Sequence, residues 1–135
     1  QELRRIPVFG AATAAYGCVF VDRGDPKKAM ASLRSAAPQL AQGASIVVFP
    51  EGTRSNDGSL LPFKKGGFLL AIENGAPILP VSISGSRFVL PNRTLSLLPG
   101  RITITIHPPI ETRGMGPGDL DVLIDRVRGV IAAGL

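Results

Sequence analysis

The stretch SIVVFPEGTRSNDGSLLPFKKGG, residues 45–67, decides the fold. Its uncharged run Ile46-Val47-Val48-Phe49 stops at Pro50. Glu51, Thr53, Arg54, Ser55, Asn56 and Asp57 follow at once, with Lys64 and Lys65 close behind. A short apolar run without polar alternation has no solvent-facing side, so the spacing predicts a central strand of a sheet covered on both faces. The sudden polar crowding then marks a loop leaving the carboxyl end of that strand.

Working outward, the same rhythm repeats. Gly17 opens a short apolar strand, Cys18-Val19-Phe20-Val21, which ends at Asp22-Arg23. Asp25-Pro26 reads as a helix cap followed by a first-turn proline. Met30, Leu33, Ala37 and Leu40 recur at helical spacing up to Gly43, with Pro38 positioned to kink the helix. Beyond the polar loop, Gly66-Gly67 precede a short helix over residues 68–72, closed by Asn74-Gly75. Residues 77–84 (PILPVSIS) predict another buried strand. Residues 85–100 are rich in Gly, Pro, Ser, Asn and Arg and read as a loop excursion. RITITI, residues 101–106, alternates as a half-exposed strand does. Asp119 would cap a last amphipathic helix with Leu120, Leu123, Ile124, Val127 and Ile131 on one face. Strands alternating with helices predict an α/β fold: one domain, residues 1–135, with a largely parallel or mixed sheet flanked by helices.

Composition narrows the partners. The 135 residues are 44% hydrophobic, enough for a core. Fifteen cations against ten acids give a net charge of +5, and eleven of the cations are arginine. That balance favours anionic partners, and the planar guanidinium suits phosphate and carboxylate. A nucleic-acid binder is disfavoured, because the cations are scattered and the seven aromatics form no stacking motif. Neither glycine-rich nucleotide-binding fingerprint occurs. The single cysteine, Cys18, allows no internal disulfide and reads as a packing thiol in a reducing setting. Residues 6–21 carry no charge, yet the run is interrupted by Pro7, Gly10 and Gly17 and is shorter than the ~20 residues of a membrane span.

In an α/β sheet the working groups sit where loops leave the carboxyl ends of strands. Two apolar strands here end in arginine-bearing loops, one with Arg23 and the other with Arg54. If the strands are neighbours, both guanidinium groups reach one rim, with Lys64 and Lys65 nearby. Such a group of cations would hold a phosphate monoester through charge-assisted, often bidentate bonds. Gly52 would let the backbone turn, and Thr53 and Ser55 would add hydroxyl donors. The plainer alternative is a surface turn in which Glu51 and Arg54 form a weak ion pair.

The residues themselves resemble a known family. Phe49-Pro50-Glu51-Gly52-Thr53-Arg54-Ser55 is similar to the signature block of the 1-acylglycerol-3-phosphate acyltransferases, the PlsC-like glycerolipid acyltransferases. Gly17-Cys18-Val19-Phe20-Val21-Asp22-Arg23 resembles that family's preceding block, and Ile78-Leu79-Pro80-Val81-Ser82-Ile83 its last. Glu2-Leu3 through Ile6-Pro7-Val8-Phe9-Gly10 is similar to the link into the second block. The resemblance implies acyl transfer from acyl-CoA or acyl-carrier protein to the free hydroxyl of a lysophospholipid such as lysophosphatidate, with no further cofactor and no metal. It implies that Arg54 binds the acceptor's phosphate, assisted by Arg23. Glu51 would position the glycerol or order the loop, and Gly52 and Thr53 would shape it. Pro80 would support the pocket or acyl groove. It also implies peripheral contact at the cytoplasmic face of a membrane.

One block of the family does not match. Its asparagine-histidine followed four residues later by aspartate, the base for the acceptor hydroxyl, has no counterpart here. The sole histidine, His107, ends RITITI ahead of Pro108-Pro109 and reads as a strand-end residue. The chain therefore reads as an acyltransferase domain without its N-terminal catalytic block, which would lie just before Gln1. A shortened relative that binds phospholipid or phosphate without turnover is the alternative.

Overall fold

The computed structural model describes residues 26–91 and 97–135. The sequence-predicted strand 18–21, the Asp25 cap and Arg23 lie outside the described residues. The chain divides into two compact units, residues 1–48 and 49–135.

In the first unit Pro26 opens helix α1 (Pro26–Arg34). A first-turn amide has no partner within its own helix, so proline there loses nothing. Helix α2 (Ala37–Ala41) follows after a break, with Pro38 in its first turn. The single kinked helix expected from the sequence is thus two helices. Pro38 has no N–H to offer the carbonyl of Arg34, and its ring crowds that carbonyl. Gly43 ends α2 in the left-handed region at φ +86°. The amides of Gly43 and Ala44 donate to the carbonyls of Leu40 and Gln39, each at 2.9 Å.

The central strand expected at 45–49 has no pairing partner among the described residues. Among the described residues this segment carries no ladder, and Val47 and Phe49 are 83% and 74% exposed. Residues 18–21, the other apolar strand that the sequence predicts, lie outside the described residues.

The second unit holds the core. Helix α3 (Gly66–Asn74) ends at Gly75, φ +57°, as the Asn-Gly pair predicts. Strand β1 (Val81–Ser84) and strand β2 (Thr103–Ile106) pair antiparallel, with Val81 opposite Ile106 and Ile83 opposite Ile104. Short helix α4 (Ser86–Val89) stands in the excursion between them. Helix α5 (Leu120–Ala133) follows a 3₁₀ turn, Pro117–Asp119. Phe68 and Ile72 of α3 pack with Leu120, Leu123, Ile124 and Val127 of α5, and Ile110 completes the cluster. Ile110 and Ile78 exchange backbone hydrogen bonds of 2.7 and 2.9 Å beside it. Thr112 is fully buried, yet its hydroxyl reaches the carbonyls of Ala76 at 2.9 Å and Ala71 at 3.2 Å. That satisfies a buried polar group and the end of α3 together.

Two details differ from expectation. Asp119 does not cap α5 with its side chain; Oδ2 accepts from the Gly116 amide at 2.8 Å, because the chain already turns as a 3₁₀ helix there. In β2 the isoleucines lie on the open face, Ile104 62% and Ile106 68% exposed, while the opposite face of the hairpin buries Ser82 of β1. Ser82 turns toward α5 and donates to the carbonyl of Ile131 at 2.8 Å. Gly134 is required beside it, since a β-carbon there would lie 2.6 Å from both Ser82 Oγ and His107 Nε2.

Candidate functional site

The polar loop runs from Pro50 to the start of α3, and its two ends are sewn together. The Lys64 amide donates to the carbonyl of Pro50 at 2.7 Å. The Gly52 amide donates to the carbonyl of Phe49 at 3.1 Å, closing a tight turn in which Gly52 takes φ +70°. That left-handed backbone is what calls for glycine; the Lys64 stem beside it leaves ordinary room for a side chain. Glu51 reaches across the loop, Oε2 accepting from the Leu61 amide at 2.8 Å. Of the two roles the resemblance implies for Glu51, this geometry provides the ordering one. The Glu51–Arg54 ion pair of a plain surface turn is absent among the described residues.

The tip has its own network. Asp57 Oδ1 accepts from the Ser59 hydroxyl at 2.6 Å, the Ser55 hydroxyl at 2.7 Å and the Ser59 amide at 2.9 Å. Ser55 Oγ in turn accepts from the Gly58 amide at 2.9 Å. The Ser59 hydroxyl and amide, then the Ser55 hydroxyl, hold the Asp57 carboxyl well below the usual carboxylate range. A short hydrogen bond from Arg87 Nη1 of α4 fixes the Asp57 carbonyl, and the Arg87 guanidinium lies 4.5 Å from the Phe88 ring centre. Gly58, at φ +88°, sits directly beneath that guanidinium, where a β-carbon would come within 2.7 Å of Nη1.

Arg54 stands apart from this network. It is exposed and makes no hydrogen bond or ion pair with the described residues. With Thr53, Ser55, Asn56, Asp57, Ser59 and Leu61 it lines an open concavity. Thr53 is exposed there too, whereas the Ser55 hydroxyl proton is already given to Asp57. Lys64 is exposed at the loop's base, its stem along Gly52. Lys65 is exposed and drawn to Asp121 of α5, Nζ to Oδ1 2.6 Å. Pro50 supplies the carbonyl that closes the loop. Pro80 is fully buried at the foot of β1, where its carbonyl accepts from the His107 amide at 3.0 Å.

His107 is the strand-end residue that the sequence predicts. The one hydroxyl proton of Ser82 goes to Ile131, so His107 Nε2–H must be the donor in its 2.8 Å contact with Ser82 Oγ. A serine giving its proton to a carbonyl is not an activated nucleophile.

Sequence reasoning missed Arg87 and Arg128. Arg128 of α5 donates from Nη1 to the Leu61 carbonyl at 2.6 Å and from Nη2 to the Leu60 carbonyl at 2.8 Å. Its guanidinium lies 5.5 Å from the Phe63 ring centre. The only local hint is its place beside Val127 at the edge of the buried face of α5.

A family model described as Acyltransferase matches residues 1–84. The chain is 38% identical over 128 residues to the 1-acyl-sn-glycerol-3-phosphate acyltransferase BAT2, chloroplastic, of Brassica napus, covering 94% of this chain and 36% of that protein. It is 37% identical over 122 residues to 1-acyl-sn-glycerol-3-phosphate acyltransferase alpha of Homo sapiens, covering 88% and 42%. The crystal structure of the 1-acyl-sn-glycerophosphate (LPA) acyltransferase PlsC from Thermotoga maritima superposes with a TM-score of 0.81 at 35% identity. That superposition takes in 98% of this chain and 52% of PlsC, and it assigns the α/β fold. The chain thus spans about half, or less, of the length of the relatives it matches. With more than half of its residues matched by the family model, the chain belongs to the acyltransferase family.

Proposed function

We propose that this chain carries the acceptor-phosphate site of an O-acyltransferase that converts lysophosphatidate to phosphatidate. The donor is an acyl thioester of coenzyme A or acyl-carrier protein. The acceptor hydroxyl attacks the thioester carbonyl, an ester C–O bond forms, the C–S bond breaks, and the thiol leaves. A base takes the hydroxyl proton. No residue here fits that last role by the family's pattern, and His107 is held on Ser82. The 135 residues by themselves therefore bind the acceptor without turning it over.

The observation that carries this reading is Arg54. Ser55, Asp57, Gly58 and Ser59 are tied to one another, while Arg54 lines an open hollow without a partner among the described residues. A phosphate monoester fits such a fork bidentately, with the Thr53 hydroxyl and the Lys64 ammonium as further donors. Asp57 at the hollow's edge repels an anion, but the serine donors around it offset part of its charge. Arg23, to which the resemblance gives an assisting role, lies outside the described residues.

The test replaces Arg54 with lysine, which keeps the charge and loses the fork. Affinity for a short-chain lysophosphatidate should fall about 10- to 150-fold, the ~1.5–3 kcal/mol of a charge-assisted hydrogen bond. Binding of the matching monoacylglycerol, which has no phosphate, should stay as it was. Calorimetry with both ligands decides. Equal losses would make Arg54 a scaffold residue of the loop.

The same reading includes peripheral contact with an anionic membrane. No helix among the described residues is long and apolar enough to cross one. Residues 74–110 contain no acidic side chain, and there Phe88 and Leu97 are exposed in the same excursion as Arg87 and Arg101. Co-sedimentation with vesicles containing phosphatidylglycerol should weaken as salt rises, since exposed charges are screened over about 8 Å at physiological ionic strength. Binding indifferent to both salt and lipid charge would contradict it.

A further inference from the structure

Leu61 is gripped from both sides. Its amide donates to Glu51, three residues before Arg54, and its carbonyl accepts from Arg128 of α5. Arg128 also holds the neighbouring Leu60 carbonyl, so one planar fork fixes two consecutive carbonyls at 2.6 and 2.8 Å. Its half-buried stem and its place near the Phe63 ring keep the fork from swinging, and Phe63 in turn stacks on Phe68 of the core, ring centres 6.1 Å apart. A continuous set of contacts therefore runs from α5 through Leu61 and Glu51 to the turn that presents Arg54. Without it, the descending limb of the loop has few apolar anchors: Leu60 and Leu61 are half-buried, and residues 56–59 are exposed.

We infer that Arg128 is a positioning residue for phosphate recognition: it acts on the ligand only by holding Leu60 and Leu61, and through Glu51 the loop that carries Arg54. This rests on the reading of Arg54 as the phosphate ligand. An arginine at 128 is needed because a lysine ammonium cannot hold two adjacent carbonyls in one plane. Loosening the limb lowers the fraction of molecules whose loop is competent to bind, and apparent affinity falls by that fraction.

The experiment measures short-chain lysophosphatidate and the matching monoacylglycerol by calorimetry on the full 135-residue chain. Arg128→Met keeps the stem against Phe63 and removes both hydrogen bonds. The preference for lysophosphatidate should drop about tenfold if the competent loop falls to a tenth of the population. Arg128→Lys should fall between the two and serves if the methionine variant does not fold. Arg126→Met, two positions away on the exposed side of α5, removes the same charge and should leave the preference unchanged. In an Arg54→Lys background, Arg128→Met should cost less preference than it does in the parent chain, because the fork it positions is gone; an undiminished cost would mean that it does not act through Arg54. If Arg54→Lys erases the preference while Arg128→Met and Arg128→Lys only lower thermal stability, Arg128 is a structural staple and the inference is wrong. If Arg54→Lys leaves the preference intact, the phosphate site itself is misassigned and the inference falls with it.

Discussion

Two neighbouring parts of residues 49–135 are held by different physics. Between α3 and α5 the chain excludes water from seven apolar side chains, and the one deeply buried hydroxyl there, Thr112, is satisfied. Between Pro50 and Lys64 hardly anything is buried, and the shape is set by directional bonds accepted by Glu51 and Asp57 and donated by Arg87 and Arg128. Apolar packing resists change in any direction, but it cannot present a charge to a ligand. A polar network can aim a guanidinium at solvent while its neighbours stay fixed. Here the packed half anchors the bonded half, since Arg128 reaches out from α5 to the loop.

The largest effect should come from breaking the packed half. Leu123 is 1% exposed at the centre of the cluster, and Leu123→Ala should destabilise by about 2–5 kcal/mol through lost transfer energy and a cavity. Urea unfolding followed by circular dichroism measures it. Wherever the variant is still folded, its preference for lysophosphatidate over monoacylglycerol should match the parent chain's. Arg54→Lys should do the reverse, with ~1.5–3 kcal/mol of binding lost and the unfolding midpoint nearly unmoved. If either variant shows both effects, the two halves are not separable.

The same contrast explains what the sequence revealed. Apolar spacing located the face of α5, from Leu120 to Val127, because burial leaves a period in the sequence. Asn74-Gly75 marked the end of α3 because its backbone chemistry is local, whereas the kink expected at Pro38 is a break before α2. The alternation in RITITI predicted two faces for β2 but not that isoleucine would lie on the open one; that depends on where α5 packs. The Glu-Gly-Thr-Arg stretch marked the loop, but not whether Arg54 would pair with Glu51. Arg87 and Arg128 left almost no trace, since each binds a carbonyl 30 or 67 residues away and a carbonyl carries no side-chain identity. Long-range bonds to backbone are invisible to pattern.

A pH titration sharpens the comparison on the bonded side. The folded Asp57 carboxyl titrates below its ordinary value of 3.8, chiefly because of the Ser59 hydroxyl. A depressed carboxylate stabilises the loop at pH above its unfolded value, and that contribution is lost as pH falls through the folded one. Carboxyl NMR should therefore find the Asp57 midpoint well below 3.8. In Ser59→Ala it should rise only part of the way back, because the Ser59 amide and the Ser55 hydroxyl still donate. A full return to 3.8 would mean that the hydroxyl alone organises the tip.

The smallest expected effect lies where the two halves meet, at the ion pair between Lys65 and Asp121. Both side chains are largely exposed, 59% and 75%, so the pair gains little Coulomb energy in water and must also order two flexible side chains. Asp121→Asn should change unfolding free energy by about 0–1 kcal/mol, and less at high salt. Ligand binding makes the variant more informative than its stability does. Lys65 belongs to the proposed cation cluster, yet in this arrangement its ammonium is held by a carboxylate of α5. If Lys65 serves the phosphate, releasing it from Asp121 removes a competing anion and should tighten lysophosphatidate binding while leaving monoacylglycerol unaffected. If binding of both is unchanged, Lys65 belongs to the packed half, as a surface tie between α3 and α5. The phosphate would then rest on Arg54, Thr53 and Lys64, with Arg23 outside the described residues.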